Sequence, residues 1–225
     1  MAINKEAYIA LQKELKNKNV TLVAVSKTKP VEDILALYEL GQRDFGENYV
    51  QELLQKQSLL PHDIRWHFIG HLQSNKVKSI TPFVHLIHGV DSMKLLMEIN
   101  KQAAKSNRVI SCLLQIHIAQ EETKFGFDEQ ELNEAMQELK TVHLNNVEVN
   151  GLMGMASFTE DKEKIKDEFK YLKSLFDKFY KEQTAYKFQT LSMGMSSDYA
   201  IAIEEGSTMV RIGSLLFGNR NVANS

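Results

Sequence analysis

The sequence is poor in cysteine and proline and has no glycine-rich stretch, and each shortage excludes a class of protein. A single cysteine, Cys112, among 225 residues excludes an intramolecular disulfide framework and predicts a reducing compartment. Cys112 lies within the apolar run VISCLLQIHI, which is typical of a core residue and not of a nucleophile. The three prolines and 11 glycines gather into no linker. We therefore predict one domain over residues 1–225.

Long apolar runs and concentrated charge of one sign are absent as well. No segment approaches the roughly 20 apolar residues that a membrane helix needs. The N-terminal residues MAINKEAYIALQKELKNKNV carry charges throughout, unlike a secretory signal. The 27 basic residues are scattered and face 29 acidic ones, a net charge of −2, so we expect no nucleic-acid surface and no membrane anchor. These absences predict a soluble, cytoplasmic protein.

Short apolar segments alternate with helical patterns along the chain. The clearest helix starts near Asp161, where Ile165, Phe169, Leu172 and Phe176 recur at three- and four-residue steps. Candidate strands, each followed by a helix or helical turn, cover 21–27, 44–48, 65–70, 85–90, 109–118, 147–156, 187–194 and 208–213. Eight such units predict an α/β protein of the (β/α)8 TIM-type barrel class. A doubly wound open sheet is the alternative, because periodicity does not detect closure.

The first predicted strand ends in a lysine. Thr21 to Lys27 reads TLVAVSK, shortly before Pro30. A strand-end lysine can extend its amine to water, or it can be buried, lose its proton and condense with an aldehyde to a Schiff base. Both interpretations stay open on this segment alone. Lys29 is the rival, although its neighbour Pro30 favours a loop there.

The loops after strands seven and eight carry groups that suit an anion. Ser196 lies in the segment MGMSSD after strand seven, and Gly213 and Ser214 follow strand eight. Hydroxyls and unpaired backbone amides in these loops can hold a phosphate, the alternative being plain helix capping. Arg211 ends strand eight as Lys27 ends strand one. Its alternative role is an ion pair with a carboxylate such as that of Glu47.

Together these groups describe a ligand that has an aldehyde, a phosphate and a polar ring, and pyridoxal 5′-phosphate (PLP) has all three. Asn48 and His67 fall at the ends of or within strands two and three, where they could line the same mouth or be ordinary core residues. His67 and His71 have no evident third ligand, so we predict no metal site.

Seven motifs occur in order along almost the whole chain: AVSKTKP from Ala24, FGENYVQE from Phe45, WHFIGHLQSNK from Trp66, KFGF from Lys124, GLMGMA from Gly151, LSMGMSSDY from Leu191 and RIGSLLFG from Arg211. With them the chain resembles the YggS/PROSC family of PLP homeostasis proteins. The resemblance implies a fold-type III barrel like the N-terminal domain of alanine racemase, with Lys27 as the aldimine lysine. It further implies that Arg211 faces the pyridine nitrogen, that Ser196, Gly213 and Ser214 hold the phosphate, and that Asn48 lies beside the cofactor.

The resemblance also carries an expectation about activity. An arginine at the ring nitrogen leaves it unprotonated and makes the ring a poor electron sink. Racemases of this fold add a C-terminal β domain with a tyrosine base, which we do not expect here because the sequence ends soon after Gly213. We expect a monomeric, non-catalytic protein that carries or buffers PLP for enzymes requiring it. The alternatives are a racemase or Schiff-base lyase, with Tyr199 or His67 moving protons, and a phosphometabolite-binding barrel without covalent chemistry.

Overall fold

The computed structural model describes residues 3–119, 125–181 and 188–218, and it shows a closed barrel of eight parallel strands. The strands β1 to β8 are Thr21–Val25, Asp44–Glu47, Arg65–Phe68, Leu86–Val90, Ile110–Ile116, Val147–Gly154, Thr190–Ser192 and Met209–Ile212. Each strand pairs with the next, and β8 returns to β1 with Met209 opposite Thr21. The predicted (β/α)8 barrel is confirmed, and the open sheet is excluded.

Helices follow the strands and cover the outside of the barrel. Helices α1 to α9 are Lys5–Asn17, Val31–Glu39, Val50–Leu59, Val77–Ile80, Met93–Lys105, Glu129–Thr141, Lys162–Lys181, Tyr199–Glu204 and Ser214–Phe217, with a 3-10 turn at Ser74–Lys76. The apolar stripe predicted for α7 is buried, including Phe169 and Leu172. None of the helices in the described ranges combines the length and apolar character needed to cross a membrane.

All eight predicted strands are present, and each is shorter than the segment that predicted it. Strand β1 ends at Val25, so Lys27 lies two residues beyond the ladder. Strand β7 covers only Thr190–Ser192, within the predicted 187–194. Residue 187 and Lys124 of the KFGF motif lie outside the described residues. After some strands the next residues are still buried, such as Ser26 after β1 and Met193 after β7, so burial extends beyond the paired residues there.

The inner face of the barrel is marked by a small apolar cluster of Val23, Leu86, Leu113, Met153 and Met209. Paired residues of neighbouring parallel strands point to the same face of a sheet. Arg211 is paired with Val23, Ser192 with Met209, and His67 with Leu86. These three polar side chains therefore share the barrel interior with the apolar cluster.

The larger hydrophobic core lies between the barrel and its helices. It contains fully buried residues such as Phe45 and Phe169, and Cys112 belongs to it. Burial raises the pKa of the Cys112 thiol well above its ordinary value, which keeps the thiol protonated at neutral pH. The prediction of Cys112 as a core residue is confirmed.

Candidate cofactor site

A cavity of about 480 Å³ opens at the carboxyl ends of the strands. This volume falls within the roughly 300–1,000 Å³ that is usual for small-molecule sites. Six of the seven site residues predicted from the sequence line it, namely Lys27, Asn48, Ser196, Arg211, Gly213 and Ser214. They come from the ends of β1, β2, β7 and β8, which the closed barrel brings to one mouth.

Arg211 forms the floor of the cavity from within the barrel. Its Nη1 donates to the carbonyl oxygen of Ser192 at 2.9 Å and to the Ser192 hydroxyl at 2.7 Å, while Nη2 donates to the carbonyl of Gly154 at 3.0 Å. Its Nε donates to no residue that the structure describes. Burial lowers the pKa of Arg211 to about 10, although the charge of Asp198 raises it, so the guanidinium remains charged at neutral pH. The ion pair with Glu47 considered above does not form.

The loop between β7 and α8 presents Ser196 to the cavity. Gly194 turns the chain with φ +97°, and the Asp198 side chain accepts a hydrogen bond from the Met195 amide. The Ser196 hydroxyl in turn accepts a hydrogen bond from the Gly213 amide at 3.2 Å, which joins this loop to the one after β8. Among the residues described, the amides of Ser196, Ser197 and Ser214 have no protein acceptor.

The backbone on either side of Lys27 is held by a group that we call the Lys56 cluster, consisting of the buried residues Ser26, Glu47 and Lys56 and the half-buried Glu52. The Lys56 ammonium donates to the Ser26 carbonyl at 2.7 Å, to Glu47 at 2.8 Å and to Glu52 at 2.6 Å. Glu47 also accepts from the Ser26 hydroxyl, and Glu52 accepts from the amide of Thr28. The cluster thus fixes both neighbours of Lys27.

Three residues weighed in the sequence lie elsewhere. His67 is buried inside the barrel, where it bonds to Asp44 and His88, and it does not line the cavity. Strand β3 ends at Phe68, so His67 lies below the mouth. The Lys29 ammonium donates to the carbonyls of Phe217 and Gly218 at the end of α9. His71 pairs with Asp91 and stacks on Phe125.

Sequence reasoning missed the walls of the cavity and the Lys56 cluster. Ile69, Met155, Met195 and Phe158 supply apolar surface, and Ser197 adds a third serine. Met155 directly follows β6 and Met195 lies shortly after β7, and the carboxyl end of a barrel strand is a position from which the sequence could have predicted them at the mouth. The Lys56 cluster joins β2 to α3, and no short-range spacing reveals that contact.

Residues 5–221 match the family model described as the N-terminal domain of alanine racemase. The chain is also similar to the "Pyridoxal phosphate homeostasis protein" of Aquifex aeolicus, with 44% identity over 200 residues that cover 88% of this chain and 86% of the relative. These matches extend over nearly all the elements that build the cavity.

Solved structures agree with this assignment. PipY of Synechococcus elongatus, determined with PLP bound, is 34% identical with a TM-score of 0.87, over 95% of this chain and 99% of PipY. The alanine racemase of Streptomyces coelicolor is only 15% identical, with a TM-score of 0.70 over 92% of this chain and 56% of the racemase, and shares the fold alone. The chain belongs to the alanine racemase N-terminal domain family and, within it, to the pyridoxal phosphate homeostasis proteins.

Proposed function

We propose that this chain binds PLP in the cavity at the barrel mouth, holds it covalently on Lys27 and serves as a carrier or buffer of the cofactor. One observation carries the proposal. A single cavity gathers a strand-end lysine, a buried arginine and two serine-bearing loops. Among the residues described, its lining contains two basic side chains and no carboxylate, which suits an anionic ligand.

The lining fits each part of the cofactor separately. The amides and hydroxyls of Ser196, Ser197 and Ser214 suit a phosphate, which accepts several hydrogen bonds at once. The apolar side chains of Ile69 and Met155 suit the faces of a flat ring. Lys27 supplies the amine, which condenses with the aldehyde to an imine and releases one water.

The position of Arg211 favours binding of PLP over catalysis with it. PLP supplies an electron sink for carbanions, and the sink is strongest when the ring nitrogen is protonated. A guanidinium with a pKa of about 10 stays charged at neutral pH and can only donate hydrogen bonds, so beside the ring nitrogen it would supply a donor and no anion. The ring would therefore stay unprotonated beside Arg211 and stabilise a carbanion weakly.

The alternative of a racemase or lyase needs a second proton-transfer group beside Lys27. His67 is enclosed in the barrel, and Tyr199, at the start of α8, is not among the cavity-lining residues. Lys27 is the one described lining residue whose type commonly serves as a general acid or base. This composition supports a carrier for PLP-requiring apo-enzymes.

Reduction with borohydride tests the covalent link. Hydride adds to the imine carbon and the nitrogen takes up a proton, so a pyridoxyl group remains on the lysine that bound the aldehyde. We expect peptide mass mapping to find the label on Lys27, and we expect Lys27→Ala to lose the absorbance band of the bound cofactor. Lys29→Ala is the matched control and should retain both the label and the band.

Label on Lys29, or no label on the wild-type protein, would contradict the assignment of Lys27. The carrier role has its own test. The loaded protein should restore activity to a PLP-requiring apo-enzyme while racemase, aminotransferase and decarboxylase assays of the protein alone stay at background. Robust turnover in any of these assays would favour the enzyme alternative.

A further inference from the structure

A continuous chain of hydrogen bonds runs through the barrel interior to Arg211. The Arg211 guanidinium donates to the Ser192 hydroxyl at 2.7 Å, and that hydroxyl lies 3.1 Å from Nδ1 of His88. Nε2 of His88 lies 3.0 Å from Nδ1 of His67, whose Nε2 lies 3.0 Å from the carboxylate of Asp44. Four contacts thus link five side chains that stand on five different strands.

The hydrogen-bond chain connects the two ends of the barrel. Asp44 is the first residue of β2 and lies at the amino end of the strands, whereas Arg211 reaches the cavity at their carboxyl end. The three groups between them are enclosed, with His67 1% exposed and both His88 and Ser192 fully buried. Buried polar groups normally require complete hydrogen bonding, so the direction of each bond in the chain can be derived.

The two ends fix that direction. A guanidinium can only donate hydrogen bonds, and an ionised carboxylate can only accept them. Burial raises the pKa of Asp44, but hydrogen bonds from Arg65 and His67 outweigh it and lower the pKa well below its ordinary value, so Asp44 is ionised. With both histidines neutral, every link is satisfied in one way. Arg211 donates to Ser192, Ser192 to His88, His88 to His67, and His67 to Asp44.

Adding a proton to the histidine pair breaks this arrangement. A doubly protonated His67 would donate to His88, and His88 would then donate to Ser192. The Ser192 hydroxyl would accept from both His88 and Arg211, and its own hydrogen would have no acceptor among the residues described. Burial lowers the pKa of His88 well below its ordinary value, and the charge of Arg211 acts in the same direction, which also favours the neutral state.

Resting on the proposed function, we propose that Ser192, His88, His67 and Asp44 are positioning residues that fix the orientation and hydrogen-bonding state of Arg211 towards the ring of the bound cofactor. Among the described residues, Arg211 donates no hydrogen bond to a carboxylate and is held by Ser192 and Gly154. The chain connects it to the negative charge of Asp44 at the far end of the barrel. Arg211 thereby keeps a fixed donor geometry beneath the cavity.

The charged groups around the far end agree with this role. Arg65 binds both oxygens of Asp44, and the ring of His85 lies 5.4 Å from that of His67. Asp44, His67 and His85 have potential metal-ligand atoms within 4.8 Å of one another. The Arg65 guanidinium already occupies the carboxylate, and a cation there would have to displace it. The geometry therefore favours the terminus of a hydrogen-bond chain over a metal site.

The decisive variant is Ser192→Ala, which removes one hydroxyl from the middle of the chain. It leaves Nδ1 of His88 without a donor and Arg211 without one acceptor, so we expect PLP affinity to fall by about tenfold. Ser111→Ala is the matched control. Ser111 also lies on the inner face of the barrel, opposite Leu86, but its hydrogen bond goes to Asn150, which does not belong to the hydrogen-bond chain. Ser192→Thr restores a hydroxyl and should recover most of the affinity.

Nitrogen-15 spectra of the histidine side chains in ligand-free protein provide a second readout. We expect both His67 and His88 to be neutral with the proton on Nε2, and we expect Ser192→Ala to change the His88 signals while Ser111→Ala leaves them unchanged. A proton on Nδ1 of His88 in the wild-type protein, or equal affinities of Ser192→Ala and Ser111→Ala, would overturn the proposal. If the tautomers are as expected but the wild-type protein binds no PLP, the proposed function fails and the hydrogen-bond chain stands.

Discussion

Lys27 is presented to the cavity by a backbone that is fixed on both sides of it. Thr28 has φ +63°, a left-handed conformation that is unfavourable for a β-branched residue. Its amide is held by Glu52, and the Ser26 carbonyl before Lys27 is held by Lys56. The Lys56 cluster therefore stabilises a strained turn directly beside the residue that carries the Lys27 amine.

Substitution of Lys56 by methionine tests the cluster. Lys56 and Glu47 have side-chain exposures of only 6% and 0%, so Lys56→Met leaves a buried carboxylate without its cation. We expect the free energy of unfolding to fall by about 3 kcal/mol, measured by urea denaturation. We also expect PLP to bind more weakly, because the turn that carries Lys27 loses its support.

The exposed pair of Lys18 and Glu14 provides the control for Lys56→Met. Both side chains are largely solvent-accessible, so Lys18→Met should change stability by less than about 1 kcal/mol and leave PLP binding unchanged. An equally small effect of Lys56→Met would show that the cluster does not support the Lys27 turn.

At the residue scale, strand-end positions were predictable and contacts between distant elements were not. Lys27, Arg211 and Ser196 could be placed at the cavity because the carboxyl ends of barrel strands share one mouth. His67 has the same kind of position in the sequence, yet it bonds to Asp44 and His88 inside the barrel. Its depth depends on strand stagger, which hydrophobic periodicity does not contain.

At the scale of elements, the loop between β7 and α8 depends on one glycine. Gly194 has φ +97°, and a Cβ atom at this position would lie 2.6 Å from the Cβ of Ala202 in α8. The loop can therefore pass close to the helix only where residue 194 lacks a side chain. This close approach sets the position of Ser196 at the cavity.

Gly194→Ala should weaken both the fold and the site. We expect the free energy of unfolding to fall by about 3 kcal/mol from backbone strain together with overpacking, measured by urea denaturation. We expect PLP affinity to fall in parallel, because the Ser196 loop must move away from α8.

Gly41→Ala is the matched control for Gly194→Ala. Gly41 has nearly the same backbone angle, φ +100°, but a Cβ atom there would meet nothing within 4 Å. It should cost only about 1 kcal/mol from backbone strain and leave PLP affinity unchanged. Equal losses of stability in the two variants would remove the role of the contact with Ala202.

The sequence predicted that the helices and strands exist, but it predicted only some of the residues at which they begin and end. Asp128 caps α6 in a capping box with Glu131, and the D-x-x-E spacing of this motif can be read directly from the sequence. Pro30, by contrast, is the N-cap of α2, whereas proline is most typical of the first helical position, so the residue type alone does not fix where the helix begins. Strands end where hydrogen-bonded neighbours end, and those neighbours are distant in sequence.

At the scale of the whole molecule, the buried His88 makes the free energy of unfolding depend on pH. Burial lowers the pKa of His88 well below its ordinary value of 6.5. Just below pH 6.5 the unfolded protein therefore binds a proton at this histidine and the folded protein does not. Stability is therefore fully present above pH 6.5 and is lost as the pH falls below it. The slope due to His88 is at most about 1.4 kcal/mol per pH unit.

Urea denaturation between pH 7 and pH 5 measures this slope. We expect His88→Gln to reduce the loss of stability on acidification, because glutamine does not titrate in this range. The control is His62→Gln, at an exposed position, which should leave the slope unchanged. A slope that is the same in His88→Gln as in the wild-type protein would contradict the assignment of the acid sensitivity to His88.

The cofactor site forms only when strand β1 pairs with strand β8 and closes the barrel. Lys27 follows β1 and Arg211 lies in β8, and these strands are neighbours only because the first strand of the barrel pairs with the last. An intermediate in which this pairing is missing has neither the cavity floor nor the amine in position. A ligand that contacts both Lys27 and Arg211 can bind only the closed barrel, so it shifts the equilibrium from forms with β1 and β8 apart towards the closed form. Bound PLP would therefore stabilise the completed fold of the protein that carries it.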